Sequence, residues 1–233
     1  MKSVCLFGIA SLALIATGRG DLTIVQKVEG SEGAHWITLK VKGHKACVAV
    51  NPQLTTIIDA TTGDITTLLR DKKTVMRISG ERAKAMAEMA KSFVKKEAPA
   101  QSPPKPTGKK ETIDGYETEE YVSESPKYRA SYWVAKSYPD YENILKQMAV
   151  LQQGAFASIT KGMPDYQSLP GLPLRTTVTI PGQSEITSTI ESVNQLPLPD
   201  SEFAAPADYS EMKLPDFMGG KQPSEKPENT GNE

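Results

Sequence analysis

The sequence is short of the residues that most enzymes and metal proteins depend on. With 2 Cys and 2 His among 233 residues, it offers neither a disulfide scaffold nor a rich set of zinc ligands or acid–base groups. It also lacks an excess of either charge, because 27 Lys+Arg face 28 Asp+Glu for a formal net charge of −1. A nucleic-acid binder needs a basic face to neutralise phosphates, so no nucleic-acid partner is expected. Hydrophobic residues make up 38% of the chain, which leaves room for one folded domain with ragged ends.

The N-terminus carries a short apolar run at 4–16, preceded by Lys2 and followed by the small residues Ala16-Thr17-Gly18. That run is shorter than the roughly 20 residues that span a bilayer core. Its flanks fit a secretory signal peptide over 1–20, so a periplasmic or secreted protein is expected, with no transmembrane segment in the mature chain. Cleavage after Gly20 would remove Lys2, Cys5 and Arg19 but no acid, taking the net charge from −1 to −3. Cys5 lies too early to be a lipidated cleavage cysteine. Cys47 would remain as the lone thiol, either buried or paired between chains, and its neighbours Ala46, Val48, Ala49 and Val50 favour burial.

The mature chain reads first as strands. Residues 35–42 alternate, with Ile37, Leu39 and Val41 on one face and Thr38, Lys40 and Lys42 on the other. That period belongs to a sheet with one packed face and one wet face. Further strands are expected at 46–51, 55–59, 64–69 and 74–78, joined by the turns at Gly43-His44-Lys45 and Ala60-Thr61-Thr62-Gly63. The period then changes. Ser79 can cap a helix over 81–96 whose apolar positions Met86, Met89, Ala90, Phe93 and Val94 recur at helical spacing.

Pro99, Pro103, Pro104 and Pro106, with Lys105, Lys109 and Lys110, mark 98–110 as a mobile loop inside a single domain over 21–212. Strands resume at 111–123 and 128–135. A second helix starts with Asp140 as its cap and places Tyr141, Ile144, Leu145, Met148 and Leu151 on one stripe. Strands at 172–180 and 184–193 follow, then a closing segment with Phe203, Pro206 and Tyr209, and a disordered tail over 213–233. The fold class is therefore α+β, mainly antiparallel β. About nine to eleven strands in one sheet must curl or close, with the two amphipathic helices on its apolar face.

No motif carries chemistry. There is no phosphate-binding glycine loop, no Cys-x-x-Cys and no Gly-x-Ser-x-Gly elbow. Glu119 and Glu120 are adjacent on a strand, so their side chains point to opposite faces. His35 and His44 lack a nucleophile and an orienting acid. The sequence therefore nominates no catalytic residue, no metal ligand and no cofactor, and the protein is expected not to be an enzyme.

Three short motifs stand in order: Ile113-Asp114-Gly115-Tyr116, Tyr132-Trp133-Val134-Ala135 and Gly171-Leu172-Pro173-Leu174. Together with Phe203, Pro206 and Tyr209, they resemble the bacterial family known as domain of unknown function 4412 over roughly 21–209. Such proteins look like relatives of the LolA and LolB lipoprotein carriers. The resemblance implies an open half-barrel whose concave face is covered by helices and holds acyl chains. The family often has Cys after its Gly-Tyr, where Thr118 or its neighbours stand here, and that leaves Cys47 without an obvious partner within the chain.

Two readings follow. In the first, the chain is an exported non-catalytic protein that binds an apolar ligand, a lipid or a lipoprotein acyl chain. The lining and lid would be Met86, Met89, Phe93, Leu145, Met148 and Leu151. In the second, the same residues are ordinary core, and the protein is an envelope interaction or structural module with no ligand. The sequence does not give the oligomeric state.

Overall fold

A computed structural model of the chain describes residues 20–93, 103–125, 128–152 and 168–212. The expected signal at 1–20, apart from its last residue, and the expected tail at 213–233 lie outside the described residues.

The described chain forms six strands, β1 (Leu22–Gly30), β2 (Gly33–Lys42), β3 (Lys45–Ala49), β4 (Leu54–Asp59), β5 (Ile65–Leu69) and β6 (Thr74–Ile78), then helix α1 (Gly80–Phe93). The strands β7 (Lys105–Ile113), β8 (Tyr116–Glu124) and β9 (Arg129–Ala135) lead to helix α2 (Tyr141–Met148). The chain continues with β10 (Leu172–Thr179), β11 (Ile186–Asn194) and the two-residue β12 (Ser210–Glu211). All belong to one sheet of 12 strands, in the order β12-β6-β5-β4-β3-β2-β1-β11-β10-β9-β8-β7. Neighbours are antiparallel except β12, which runs parallel to β6.

The sheet is open, because its order ends at β12 on one side and β7 on the other. The count of 12 exceeds the nine to eleven expected. One addition is β1, whose Val25 blurs the alternation of Leu22 and Ile24. The others are β12 and β7, the latter set apart from β8 by a turn. The two halves are meanders, β1–β6 and β7–β11, stitched together where β11 pairs with β1, as in Val28 with Ser188.

Two local devices set this geometry. Between β7 and β8 only Asp114 and Gly115 turn the chain, at φ 49° and 79°. A two-residue hairpin that matches the twist of its strands needs positive φ at both positions, and Asp-Gly supplies it. Gly171 serves a different purpose. A Cβ there would lie 2.4 Å from the Ala135 carbonyl oxygen, so only glycine lets β10 enter this close to the end of β9.

The segment expected to be a mobile loop over 98–110 is strand from Lys105 onward. Proline and lysine are poor residues for a central strand, but β7 is an edge with one side unpaired, where Pro106 loses no ladder bond. The register shifts between Pro106 and Lys110, and such a bulge with edge lysines discourages pairing with another chain.

The two faces of the sheet are covered differently. On one, here the helix face, Leu22 lies opposite Val41 and Ile24 opposite Leu39, and Ile144, Leu145 and Met148 of α2 pack into the same buried cluster. Asp140 occupies the position before α2 in a left-handed conformation and does not cap with its side chain. Its carboxylate instead accepts from Asn143 Nδ2 at 3.0 Å.

On the opposite face, residues 195–212 cross β3–β6 as a strap. Phe203 is buried against Cys47, Ile57, Leu68 and Val75. Lys42 Nζ reaches Asp200 Oδ1 at 2.7 Å, Lys40 Nζ reaches Glu202 Oε2 at 2.8 Å, and Lys73 Nζ reaches Asp208 Oδ2 at 2.8 Å.

Helix α1 differs from expectation. Ser79 Oγ accepts from the Arg82 amide at 3.4 Å as a cap. The helix, however, buries Ala83 and half-buries Ala85 and Ala87, while Met86 is 47% and Met89 42% exposed. The long apolar side chains of this helix are therefore half-exposed and form no buried stripe among the described residues.

Candidate functional site

Beyond α2 the helix face continues across β10, β11, β1 and β2 with no described element covering it. Ladder partners share a face, and here Val178 lies opposite Ile186, Thr176 opposite Ser188, Ser188 opposite Val28, and Gln26 between Ile190 and Ile37. These residues, with Pro173 and the Met148 end of α2, line a groove of about 250 Å³. Its walls are aliphatic: Val28, Ile37, Val178, Ile186, Ile190 and Met148. Ile186 stands at its rim, 45% exposed. Only Gln26, Thr176 and Ser188 interrupt the apolar lining, and Ser188 Oγ donates to Gln26 Oε1 at 3.2 Å. Among the described residues no acidic, basic or imidazole side chain takes part in it.

A larger space of about 790 Å³ lies on the other side of α2. Its lining mixes Asp21, His44, Glu142, Asn143, Lys146 and Gln147 with Tyr141, Leu145, Ala149, Val150 and Leu169, so charged and amide side chains stand among the apolar ones. Of the two, the smaller groove is the one built to receive an apolar group.

The residues proposed from sequence divide into three sets. Leu145, Met148 and Leu151 come together in the core cluster beneath α2, and Met148 also faces the groove. Met86 and Met89 are on the solvent side of α1 and are not brought to it. The Phe93 side chain lies outside the described residues. Sequence reasoning missed Val28, Ile37, Ile186 and Ile190. Their alternation was a usable signal of face, but not of which strands become neighbours.

The titratable groups form structural pairs. Glu119 and Glu120 diverge across the sheet. Glu119 Oε2 accepts from Lys136 Nζ at 2.6 Å, and that bond holds its carboxyl below the usual range. Glu120 is 5% exposed and accepts from Ser131 Oγ at 2.7 Å and Thr107 Oγ1 at 2.9 Å. Burial pushes the Glu120 carboxyl up, but the two hydroxyls and the Lys109 ammonium together outweigh it and hold it low. His44 Nε2 lies 3.5 Å from Asp59 Oδ2 on the surface. Cys47 is buried and free, and desolvation pushes its thiol up, which makes it inert in the closed fold. Among the described residues no cluster of three or more His, Cys, Asp or Glu could hold a metal ion, and no helix is long and apolar enough to cross a membrane.

Solved structures give loose likenesses. PNGF-II matches at 14% identity and a TM-score of 0.38, covering 83% of this chain, which spans 31% of that protein's length. A DUF1329 family protein from Desulfovibrio piger matches at 13% identity and a TM-score of 0.33, over 81% of this chain and 91% of its own. A LolA superfamily protein from Nitrosomonas europaea matches at 11% identity and a TM-score of 0.30, over 81% and 91%. Superpositions this loose carry no argument, and the fold description rests on the chain's own strand order. No curated protein matches the chain. Residues 18–209, by contrast, match one family as a whole, and the chain belongs to the family described as Domain of unknown function (DUF4412).

Proposed function

We propose that the protein is an exported, non-catalytic carrier that holds one acyl-chain segment of a lipid or lipoprotein in the groove between Met148 and the β10-β11-β1-β2 face. The observation that carries this reading is the open, aliphatic and uncharged lining of that groove. Export rests on the signal-like start of the sequence, and the absence of a catalytic role on the dispersal of the titratable groups into surface and structural pairs.

Size limits the ligand. Small-molecule sites usually enclose about 300–1,000 Å³, so a groove of about 250 Å³ takes a single chain segment and not a whole lipid. At the ~30 Å³ that one water occupies in the liquid, it admits roughly eight atoms of methylene size. At about 0.8 kcal/mol per buried methylene, the gross gain is roughly 6 kcal/mol, or ~4 × 10⁻⁵ M before ordering costs, and those costs bring a single chain to ~10⁻³ M or weaker. Such weak, reversible holding suits a carrier.

The test is titration of the full chain with a neutral fluorescent apolar probe and its displacement by medium-chain amphiphiles. Ile186→Lys puts a charge at the rim of the groove, at a position where surface substitutions shift stability by only about 0.5 kcal/mol. Binding should fall at least tenfold while the melting temperature holds. Wild-type protein that takes up no probe, or a variant that binds as well as wild type, would remove the groove from the argument.

A further inference from the structure

We propose that the groove selects neutral acyl chains, ester- or amide-linked, over ionised fatty acids, and that Gln26, Thr176 and Ser188 read the linkage. This deepens the carrier reading and rests on it.

Three polar side chains have no use in a site made only for hydrocarbon, yet here they are contiguous. Thr176 lies directly opposite Ser188 on the β10–β11 ladder, and Ser188 bonds Gln26 on β1 at 3.2 Å. That mutual bond consumes one polar hydrogen whichever way the Gln26 amide is turned. The remaining amide and hydroxyl donors, that of Thr176 included, have no protein acceptor among the described residues and open onto the groove. They offer hydrogens at mid-floor, where a chain lying among Val178, Ile186 and Ile190 would place its polar end. An ester or amide carbonyl needs only such donors.

An ionised carboxylate needs more. It would give up its hydration in a groove that no Lys, Arg or His among the described residues lines, and an unpaired buried charge is strongly disfavoured. The nearest imidazole in the ladder, His35, stands opposite Val28 but does not line the groove. The complementarity is therefore to a hydrogen-bond acceptor without net charge.

Methyl octanoate and octanoate, compared at about pH 8 where a carboxylic acid is ionised, separate the two cases. The readout is the ¹³C-methyl resonance of Met148 in the full chain, assigned with Met148→Leu. The ester should bind at least tenfold more tightly than octanoate, and Gln26→Leu with Thr176→Val should weaken the ester at least tenfold. Equal binding of the two ligands by wild type, or an ester that binds the double variant as tightly as wild type, overturns the selection and leaves the carrier reading intact. Silence of the Met148 methyl towards both ligands overturns the two together, because a protein segment then fills the groove. The wild-type comparison needs no variant, so a folding defect in the double mutant cannot shelter the proposal.

Discussion

Removing the ring of Phe203 should release the strap while leaving the sheet folded. Phe203 is 6% exposed and packs on Cys47, Ile57, Leu68 and Val75. Truncating a buried phenylalanine to alanine costs about 3–5 kcal/mol. The other anchors of the strap include the partly buried Leu198, Ala205 and Tyr209, the Leu198 backbone bonds to Asp21 and Lys42, the Lys42–Asp200, Lys40–Glu202 and Lys73–Asp208 pairs and the two-residue β12. Ion pairs at the surface are each worth about 0–1 kcal/mol and cannot absorb that loss. At about 1.4 kcal/mol per decade, the opening equilibrium should rise by about 10²- to 10³-fold. Cys47 reports it, since the strap covers a thiol that is otherwise out of reach. In a Cys5→Ser background, where Cys47 is the sole thiol, the rate of modification by an aromatic disulfide reagent should climb by that factor in Phe203→Ala. Backbone circular dichroism should stay unchanged. A rise of less than tenfold with a collapsed melting temperature would refute the reasoning, because Phe203 would then hold the whole sheet.

Other expectations follow from single contacts. Gly171→Ala forces a Cβ to within 2.4 Å of a backbone oxygen, so the denaturation midpoint should drop by the equivalent of about 1–3 kcal/mol or more; an unmoved midpoint would mean that β9 and β10 part easily. Glu120 has a carboxyl held below its ordinary 4.5, so it contributes stability above about pH 4.5 that is lost as pH falls through the depressed value. Glu120→Gln should therefore lower stability at pH 7 and flatten its acid dependence, read as hydrogen-exchange protection of the β7 amides at pH 7 and pH 3. Met86→Ser with Met89→Ser should leave both stability and probe binding nearly unchanged, within about 0.5 kcal/mol, because both side chains face solvent on α1; a loss of binding would return them to the ligand site.

Much of the fold could be read from strands that obey one rule at a time. The alternation of 35–42 announced β2 and its buried face, with Leu39 and Val41 inside as expected. The stripe Ile144, Leu145 and Met148 announced α2 against the sheet. Misreadings arose where two requirements competed. In β7, Pro106 and the lysines looked like a loop, but an edge strand favours those same residues. In α1, the methionine spacing looked like a core stripe, but a helical period does not say which side a helix turns inward, and Met86 and Met89 stand half-exposed. The groove was the least legible feature. Val28, Ile37, Ile186 and Ile190 become one surface only because β11 pairs with β1, and no local period encodes a pairing between opposite ends of a chain.

That same seam sets the order of events during folding. The β1–β6 meander closes through short turns, so it can assemble as soon as it is made. Its first strand nevertheless stays half-paired until β11, which begins at Ile186, has been made. Contacts between such remote segments close late and slow the overall rate. Meanwhile β1 exposes a bare row of amides and carbonyls that invites foreign strands. A nascent molecule therefore remains incomplete, and dependent on protection of its first strand, until β11 has emerged.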